Sequence, residues 1–424
     1  MEPIAANASR TGFECAGKSV FYLADTAWSA FTNAGLADWE RYLTYRQEQG
    51  FNAVQINTLP QCDRSRPDLG VRPYLDSRFS EPNSTYWERA REMCCMAAAH
   101  GIRPVLVLLW ANMVPGTWIV REVPDAANVM PFEEIARHVD RVVSYTGECQ
   151  PMFFVGGDTD LVNPKTITWY EEALTSLCKV APASLKGFHL QRGTTYLPQQ
   201  FLGRLDFYTF QSGHDPAAQS RTWKLPPQFE AAGYPRRPIV NAEPCYEQMG
   251  YSRWRYGRFS ASDVRSAAWS SVLSGASAGM TYGAHGIWSW CEDDSVETHE
   301  SNVFDVPMRW DDALRLQGAW DFGAMPRILR SLGCTNLVPA NETLLNNTER
   351  IRVSRWDGGY LAYLPVATTL HLTGLGAGPW QASALDMETK RIADLNVRLS
   401  DDGRVEVRRH PFGHDALVAI RQAE

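Results

Sequence analysis

The sequence predicts an α/β chain: a (β/α)8 TIM barrel followed by a small antiparallel β-sandwich domain. Three observations carry this. Eight short apolar runs alternate with helical segments at the spacing of βα units. Two of them, Met152–Asp158 (MFFVGGD) and Pro238–Glu243 (PIVNAE), are rich in β-branched and aromatic residues and end in a carboxylate, as buried parallel strands do at a barrel rim. After Leu337 the pattern changes to alternation with tight turns, the grammar of a sandwich. The 424 residues divide into a barrel at 1–330, opened by a short hairpin, and a sandwich at 337–424.

Each element has its own local reason. Residues 8–18 read as a hairpin turning at Ala16-Gly17-Lys18, and Val20–Leu23 is the first barrel strand, running into Asp25, Thr26 and Trp28. A helix opening at Asp38 stops at Gly50, a residue suited to the left-handed position after a helix end. Strand two is Phe51–Asn57. The long polar loop Thr58–Asn83 leaves it on the side where barrels build specificity. Helix Ser84–His100 precedes strand three, Arg103–Trp110, which is apolar enough to require burial on both faces. A second exit loop carries Pro115, Gly116, Trp118 and Pro124, and helix Pro131–Tyr145 leads to MFFVGGD, strand four.

Helix Pro164–Lys179 follows, then strand five at Gly187–Gln191, a helical connection near Pro198–Gly203, and strand six at Leu205–Gln211. A helix at 217–233 precedes strand seven, PIVNAE. Helix Ser262–Ser274 precedes strand eight, Gly279–Gly283, and helix Asp311–Arg327 closes the barrel. In the sandwich the expected strands are Arg350–Ser354, Tyr360–Pro365, His371–Leu375, Gln381–Asp386, Arg404–Arg408 and Ala416–Ile420, with Asp357-Gly358-Gly359 as a hairpin turn.

Bulk properties narrow the function. A formal charge of −7 and a pI near 5.8 argue against nucleic acid or an anionic membrane surface as partner. The longest apolar run, Val105–Val114, is too short to span a bilayer. The start lacks a basic segment followed by an apolar core. Nine cysteines lack metal-type spacing, so reduced thiols in a cytoplasmic protein are the expectation. Fifteen tryptophans are mostly core filling, but those that follow strands, such as Trp28, Trp110 and Trp288, are platforms for a sugar face.

The chemistry follows from the paired carboxylates. Glycosidic cleavage needs one carboxyl to protonate the leaving oxygen and another to attack the anomeric carbon or activate water. Asp158 and Glu243 are the candidates. Taken singly, each has a plain structural reading: a helix N-cap for Asp158, a salt bridge beneath the loops for Glu243. Around them the strand ends supply Asp25, Asn57, Trp110, Gln191, Arg192, Gln211, His214, Tyr282 and His285, a ring of donors and acceptors suited to a polyhydroxylated, carbohydrate substrate. Cys245 reads as a packed thiol. The expected mechanism is that of a retaining exo-glycosidase needing no cofactor. The alternatives are a non-catalytic carbohydrate-binding barrel and a metal-dependent hydrolase or lyase, for which the sequence offers no HxH or close His/Asp set.

The segments FYLADTAWSAF, GFNAVQIN, VGGD, LDFYTFQSGH, PIVNAEPCYE and DVRSAAWSSVLSGASAGMTYGAHGIW together resemble the apiosidase-like family, glycoside hydrolase family 140, over roughly residues 10–330. The stretch GPWQASALDMETKR resembles the small β-sandwich, labelled for collagen binding, that often follows this catalytic domain. The resemblance implies a (β/α)8 hydrolase of plant-type glycans that releases apiose-containing units. It further implies Asp158 as acid/base, Glu243 as nucleophile, and Asp25, Thr26 and His285 lining the subsite of the cleaved sugar. A cytoplasmic member would act on small oligosaccharides or glycosides.

Overall fold

The computed structural model describes residues 1–60, 69–252, 255–294, 301–334, 336–376 and 378–423. Eight parallel strands form one sheet: strand one Tyr22–Thr26, two Ala53–Asn57, three Arg103–Trp110, four Met152–Gly157, five Lys186–Gly187, six Tyr208–Gln211, seven Ile239–Glu243 and eight Gly279–Tyr282. Their hydrogen-bonded order is 5-4-3-2-1-8-7-6. Single bonds close the remaining edge. Asp206 N–H donates to the Lys186 carbonyl at 2.9 Å, Lys186 N–H donates to Asp206 Oδ2 at 2.9 Å, and the Thr209 hydroxyl donates to the Phe188 carbonyl. The result is a TIM barrel with its helices outside.

Strand one begins two residues later than the sequence pattern suggests. Val20 pairs with Phe13 in an N-terminal antiparallel sheet of Ile4–Ala6, Phe13–Cys15 and Lys18–Val20, so the barrel strand opens at Tyr22. Asp25 therefore lies within the strand rather than beyond it. Strand five shrinks to two ladder residues, and the chain beyond it continues irregularly beside strand four: His189 N–H donates to the Gly156 carbonyl and Gln191 N–H to the Thr159 carbonyl, both at 2.9 Å. The helix expected at 217–233 is broken into Pro216–Ala218, Arg221–Lys224 and Pro226–Ala231, because Pro226 and Pro227 bring no N–H to continue a helix through them. The closing helix also divides, into Trp310–Ala313 and Gln317–Ser331. Other boundaries fall close to expectation. Helix Leu36–Gln49 ends on Gly50 at φ 93°, a left-handed position that favours glycine.

The sandwich pairs a six-stranded sheet with a three-stranded one. In the first, Val338–Pro339, Arg352–Trp356, Gly359–Leu364, Ala416–Gln422, Trp380–Asp386 and Ile392–Leu395 are neighbours in that order. The second has Val405–Val407 between Leu370–Leu372 and Val397–Leu399. Trp356 pairs with Gly359 across the expected Asp357-Gly358 turn. One sheet face packs directly on the barrel, where Trp356, Leu361, Tyr363, Met387 and Leu417 join its apolar cluster, while Val353, Leu364, Leu372, Val405 and Val418 form a separate sandwich core.

The join is also ionic. Buried Arg265, on helix Ala261–Val272, donates to both oxygens of Asp415 at 2.9 and 2.6 Å and pairs with Asp321 at 2.6 Å, while the Tyr363 hydroxyl donates to Asp415 at 2.8 Å. Removing Asp415 takes from Arg265 its two-point partner and from the Tyr363 hydroxyl its acceptor, leaving Asp321 as the remaining carboxylate on the guanidinium. Asp415→Ala is expected to cost about 2–3 kcal/mol, the scale of losing buried charged hydrogen bonds while Asp321 still pairs Arg265, read as a lower urea midpoint; an unchanged midpoint would mean that the join does not depend on this cluster. Among the described residues no helix is long and apolar enough to cross a membrane.

Candidate active site

The two carboxylates meet in a cavity of about 330 Å³ at the strand ends, lined by Trp28, Trp110, Trp118, Asp158, Arg192, Gln211, His214, Glu243, Tyr246 and Trp288, among others. That volume suits a small ligand.

Glu243 is delivered by an irregularity in strand seven. Asn241 pairs with Phe210 and Glu243 with Gln211, so Ala242 is skipped and the glutamate is set beside the glutamine. Gln211 Nε2 donates to Glu243 Oε1 at 2.6 Å and His214 Nε2 lies 2.9 Å from the same oxygen. His214 is turned back by Gly213 at φ 75°, whose N–H bonds the Glu243 carbonyl at 3.1 Å. The third partner is His189, with Nε2 3.2 Å from Glu243 Oε2. Its tautomer follows from geometry, because the Asp158 backbone N–H donates to Nδ1 at 3.1 Å, leaving the proton on Nε2 to face the glutamate. One imidazole thus ties the Asp158 turn to Glu243. Burial alone would raise the Glu243 carboxyl, but the hydrogen bonds of His189 and His214 overcome it and hold the group down at about 2.

Asp158 has the opposite environment. It sits at φ 46°, an uncommon backbone position for a non-glycine residue, just past strand four. The Trp118 indole N–H donates to its carbonyl at 2.8 Å, and Oδ1 is buried with no hydrogen-bond partner among the described residues. Burial first, and then the charge of Glu243, push its carboxyl well above the ordinary range; Arg192, whose guanidinium lies 5.7 Å from the centre of the Trp118 ring, partly offsets this. The N-cap reading does not apply, since Asn163 caps the next helix by accepting from Lys165 N–H at 2.9 Å. The two glycines before Asp158 have a packing role: a Cβ on Gly157 would collide with the Trp110 ring, and one on Gly156 with Tyr170.

The aromatic wall is continuous. Trp28 and Trp110 lie 5.2 Å apart between ring centres and both pack on His189, at 5.2 and 5.6 Å. Trp28 Nε1 donates to the Tyr246 hydroxyl at 3.0 Å. Trp288 presents a buried indole N–H that has no partner among the described residues.

Of the residues singled out from sequence, the fold gathers Trp28, Trp110, Gln211, His214 and Trp288 around Asp158 and Glu243 on the cavity wall. It does not bring Asp25, Thr26, Asn57, Gln191, Tyr282 or His285 to that wall. Asp25 points outward to the helix layer, paired with Arg46 at 2.6 Å and accepting from the Tyr42 hydroxyl at 2.8 Å. Thr26 is buried, and Asn57 uses its N–H to hold the Trp28 carbonyl at 3.1 Å. Tyr282 donates to Glu247 Oε2 at 2.6 Å. His285 is buried against the Gln248 carbonyl at 3.3 Å, and burial lowers its pKa to about 3, so it is neutral. Gln191 holds the Thr159 carbonyl, while its neighbour Arg192 reaches the cavity.

His189, Trp118 and Tyr246 were not legible as site residues. The one signal for His189 was a titratable residue inside a run otherwise suited to a buried strand. Specificity was expected from the loop Thr58–Asn83. Residues 61–68 of it lie outside the described residues, and its described part lines a separate cavity through Arg72, Tyr74, Asp76 and Phe79. The loop after strand three supplies Trp118, Ile119, Val123 and Ala126 instead. Cys245 is a buried thiol.

Comparison with known proteins agrees with this architecture. The family model for the apiosidase-like catalytic domain matches residues 9–336. Among solved structures, a protein described as a glycoside hydrolase aligns with a TM-score of 0.82 at 18% identity, covering 100% of this chain and 97% of its own. A glycoside hydrolase family 5 protein from Bacteroides vulgatus aligns at 0.80 and 18% identity, covering 99% and 93%. A glycoside hydrolase family 5 mannosidase from Rhizomucor miehei aligns at 0.55 and 14% identity over 78% of this chain and 99% of its own. These likenesses concern the fold. No curated protein matches the chain.

Proposed function

The chain belongs to the apiosidase-like catalytic family and is a glycoside hydrolase, and we propose that it is a retaining exo-glycosidase releasing a pentose such as apiose, or a related sugar, from plant-derived oligosaccharides or glycosides. The observation that carries this reading is the opposite tuning of two carboxyls in one cavity: Glu243 held ionised by its imidazole and amide donors, Asp158 held protonated by burial and by the Glu243 charge. Environments that push two carboxyls apart assign the acid and the base.

In this mechanism Asp158 donates its proton to the glycosidic oxygen as the bond to the anomeric carbon breaks. Glu243 attacks that carbon from the other face and forms a glycosyl ester. The aglycone leaves, and Asp158, now ionised, removes a proton from water as the water displaces Glu243. Gln211, His189 and His214 hold the attacking oxygens in place. Asp158 Oδ1 and the Trp288 N–H, which have no partner among the described residues, are placed to meet substrate, since a buried polar atom without a partner costs free energy that a ligand hydroxyl relieves. The small cavity and its aromatic wall support a single terminal sugar unit. Its family membership supports apiose.

The test is a panel of nitrophenyl pentosides and hexosides and apiose-bearing plant glycosides, followed by proton NMR of the product as it forms. First release of the anomer of the substrate's own configuration is the expected result, and first release of the opposite anomer would exclude retention. Azide then separates the two roles. With Asp158→Ala it should yield a glycosyl azide of retained configuration, and with Glu243→Ala one of inverted configuration. The same azide anomer from both variants would overturn the assignment.

A further inference from the structure

Two thiols meet at the opposite end of strand four from Asp158. Cys95 stands in the last turns of helix Ser84–Ala99, and Cys149 ends the short turn Gly147–Cys149 that leads into the strand. Their Sγ atoms are 3.2 Å apart although 54 positions separate them in the chain. Cys149 is buried and Cys95 half-buried. Beside them, Glu148 Oε1 lies 3.5 Å from Cys95 Sγ and 2.5 Å from the exposed Arg91 Nε.

We infer that Cys95 and Cys149 form a modification site, a dithiol that small-molecule disulfides such as oxidised glutathione convert to an intramolecular disulfide. The steps follow from accessibility. Cys95, the reachable thiol, gives its proton to solvent, and its thiolate attacks one sulfur of the reagent. The reagent's S–S bond breaks, and one glutathione leaves as a thiolate that takes up a proton. Cys149 then loses its proton and attacks Cys95 Sγ, forming the new bond and expelling the second glutathione as a thiol. The two cysteines lose two electrons and two protons, and one disulfide becomes two thiols.

The division of labour has a second support. Burial and the adjacent Cys95 raise the Cys149 thiol to about 12, so Cys95 and not Cys149 makes the first attack, and the 3.2 Å Sγ–Sγ approach brings Cys149 to the joined Cys95. The same three residues hold their donor atoms within 4.8 Å of one another, as a metal site would. A structural zinc needs four ligands, however, and Arg91 already engages Glu148. The bridge would tie the helix to the turn before strand four and close a long loop, so the oxidised chain should unfold several degrees higher than the reduced one.

The experiment uses the full chain, incubated with oxidised glutathione, alkylated, digested without reduction and mapped by mass spectrometry. A cross-linked peptide pair carrying Cys95 and Cys149, two fewer titratable thiols, and recovery of both with dithiothreitol are expected. Cys149→Ser should stop at glutathione on Cys95. If that variant does not fold, Cys95→Ser serves in its place and should leave Cys149 unmodified. Both cysteines alkylated after oxidation of the folded chain, or Cys95 bridged to Cys94, would overturn the inference. So would zinc alone protecting both thiols in a way that a chelator reverses.

Discussion

Glu243→Ala is expected to lower kcat/KM on any accepted glycoside by roughly 10⁴–10⁶-fold, the scale on which removal of a covalent nucleophile acts. The fold should survive, because the neighbours of Glu243 are anchored independently: His189 holds the Asp158 N–H, and Gly213 fixes the turn before His214. Stability should nevertheless become less sensitive to acid. The Glu243 carboxyl is depressed to about 2 in the folded chain, so it stabilises the protein above its ordinary value near 4.5 and loses that contribution as pH falls toward 2. Paired measurements of hydrolysis and of thermal unfolding between pH 3 and 7 would check both statements. A variant keeping a tenth of wild-type turnover would remove Glu243 from the chemistry.

Asp158→Asn is expected to cost about 10²–10⁴-fold on substrates whose leaving group is a sugar, because such an oxygen must be protonated to depart. The loss should be much smaller with nitrophenyl leaving groups, which depart as anions. In the wild type, activity should decline on the alkaline side as Asp158 ionises, and this limb should disappear in the variant. Stability moves the other way. The Asp158 carboxyl is raised on folding, so the folded chain binds a proton that the unfolded chain has released, and stability falls as pH rises above the ordinary carboxylate range. Asparagine removes that cost, and the impaired variant should be more stable at neutral pH. Equal losses across leaving groups, or an alkaline limb that persists, would assign the proton to another residue.

Several features were legible because they are local. MFFVGGD and PIVNAE each state a buried strand and its terminal carboxylate in one run of residues, and Gly50 and Asp357-Gly358 state their turns by the backbone angles that they permit. Strand five was hard to bound because its residues leave the ladder after Gly187, and no property of Phe188–Gln191 records that. Asp25 was misplaced because it lies inside strand one, Tyr22–Thr26, rather than beyond its end, and there its carboxylate faces outward to Arg46. Successive side chains along a barrel strand alternate between the interior and the helix layer, so position within the strand decides which of the two a carboxylate meets.

The sequence by itself determined the barrel, the sandwich, the family and the two strand-end carboxylates, because periodicity, turn chemistry and terminal residue type are properties of neighbours in the chain. Only the tertiary structure shows which carboxyl is pushed down and which is pushed up. That difference comes from His189, His214 and Gln211, which converge on Glu243 from the segments of strands five and six, and from the burial of Asp158 beside the Glu243 charge. Proton affinity depends on burial and on charges a few ångströms away, and chain order does not contain those distances.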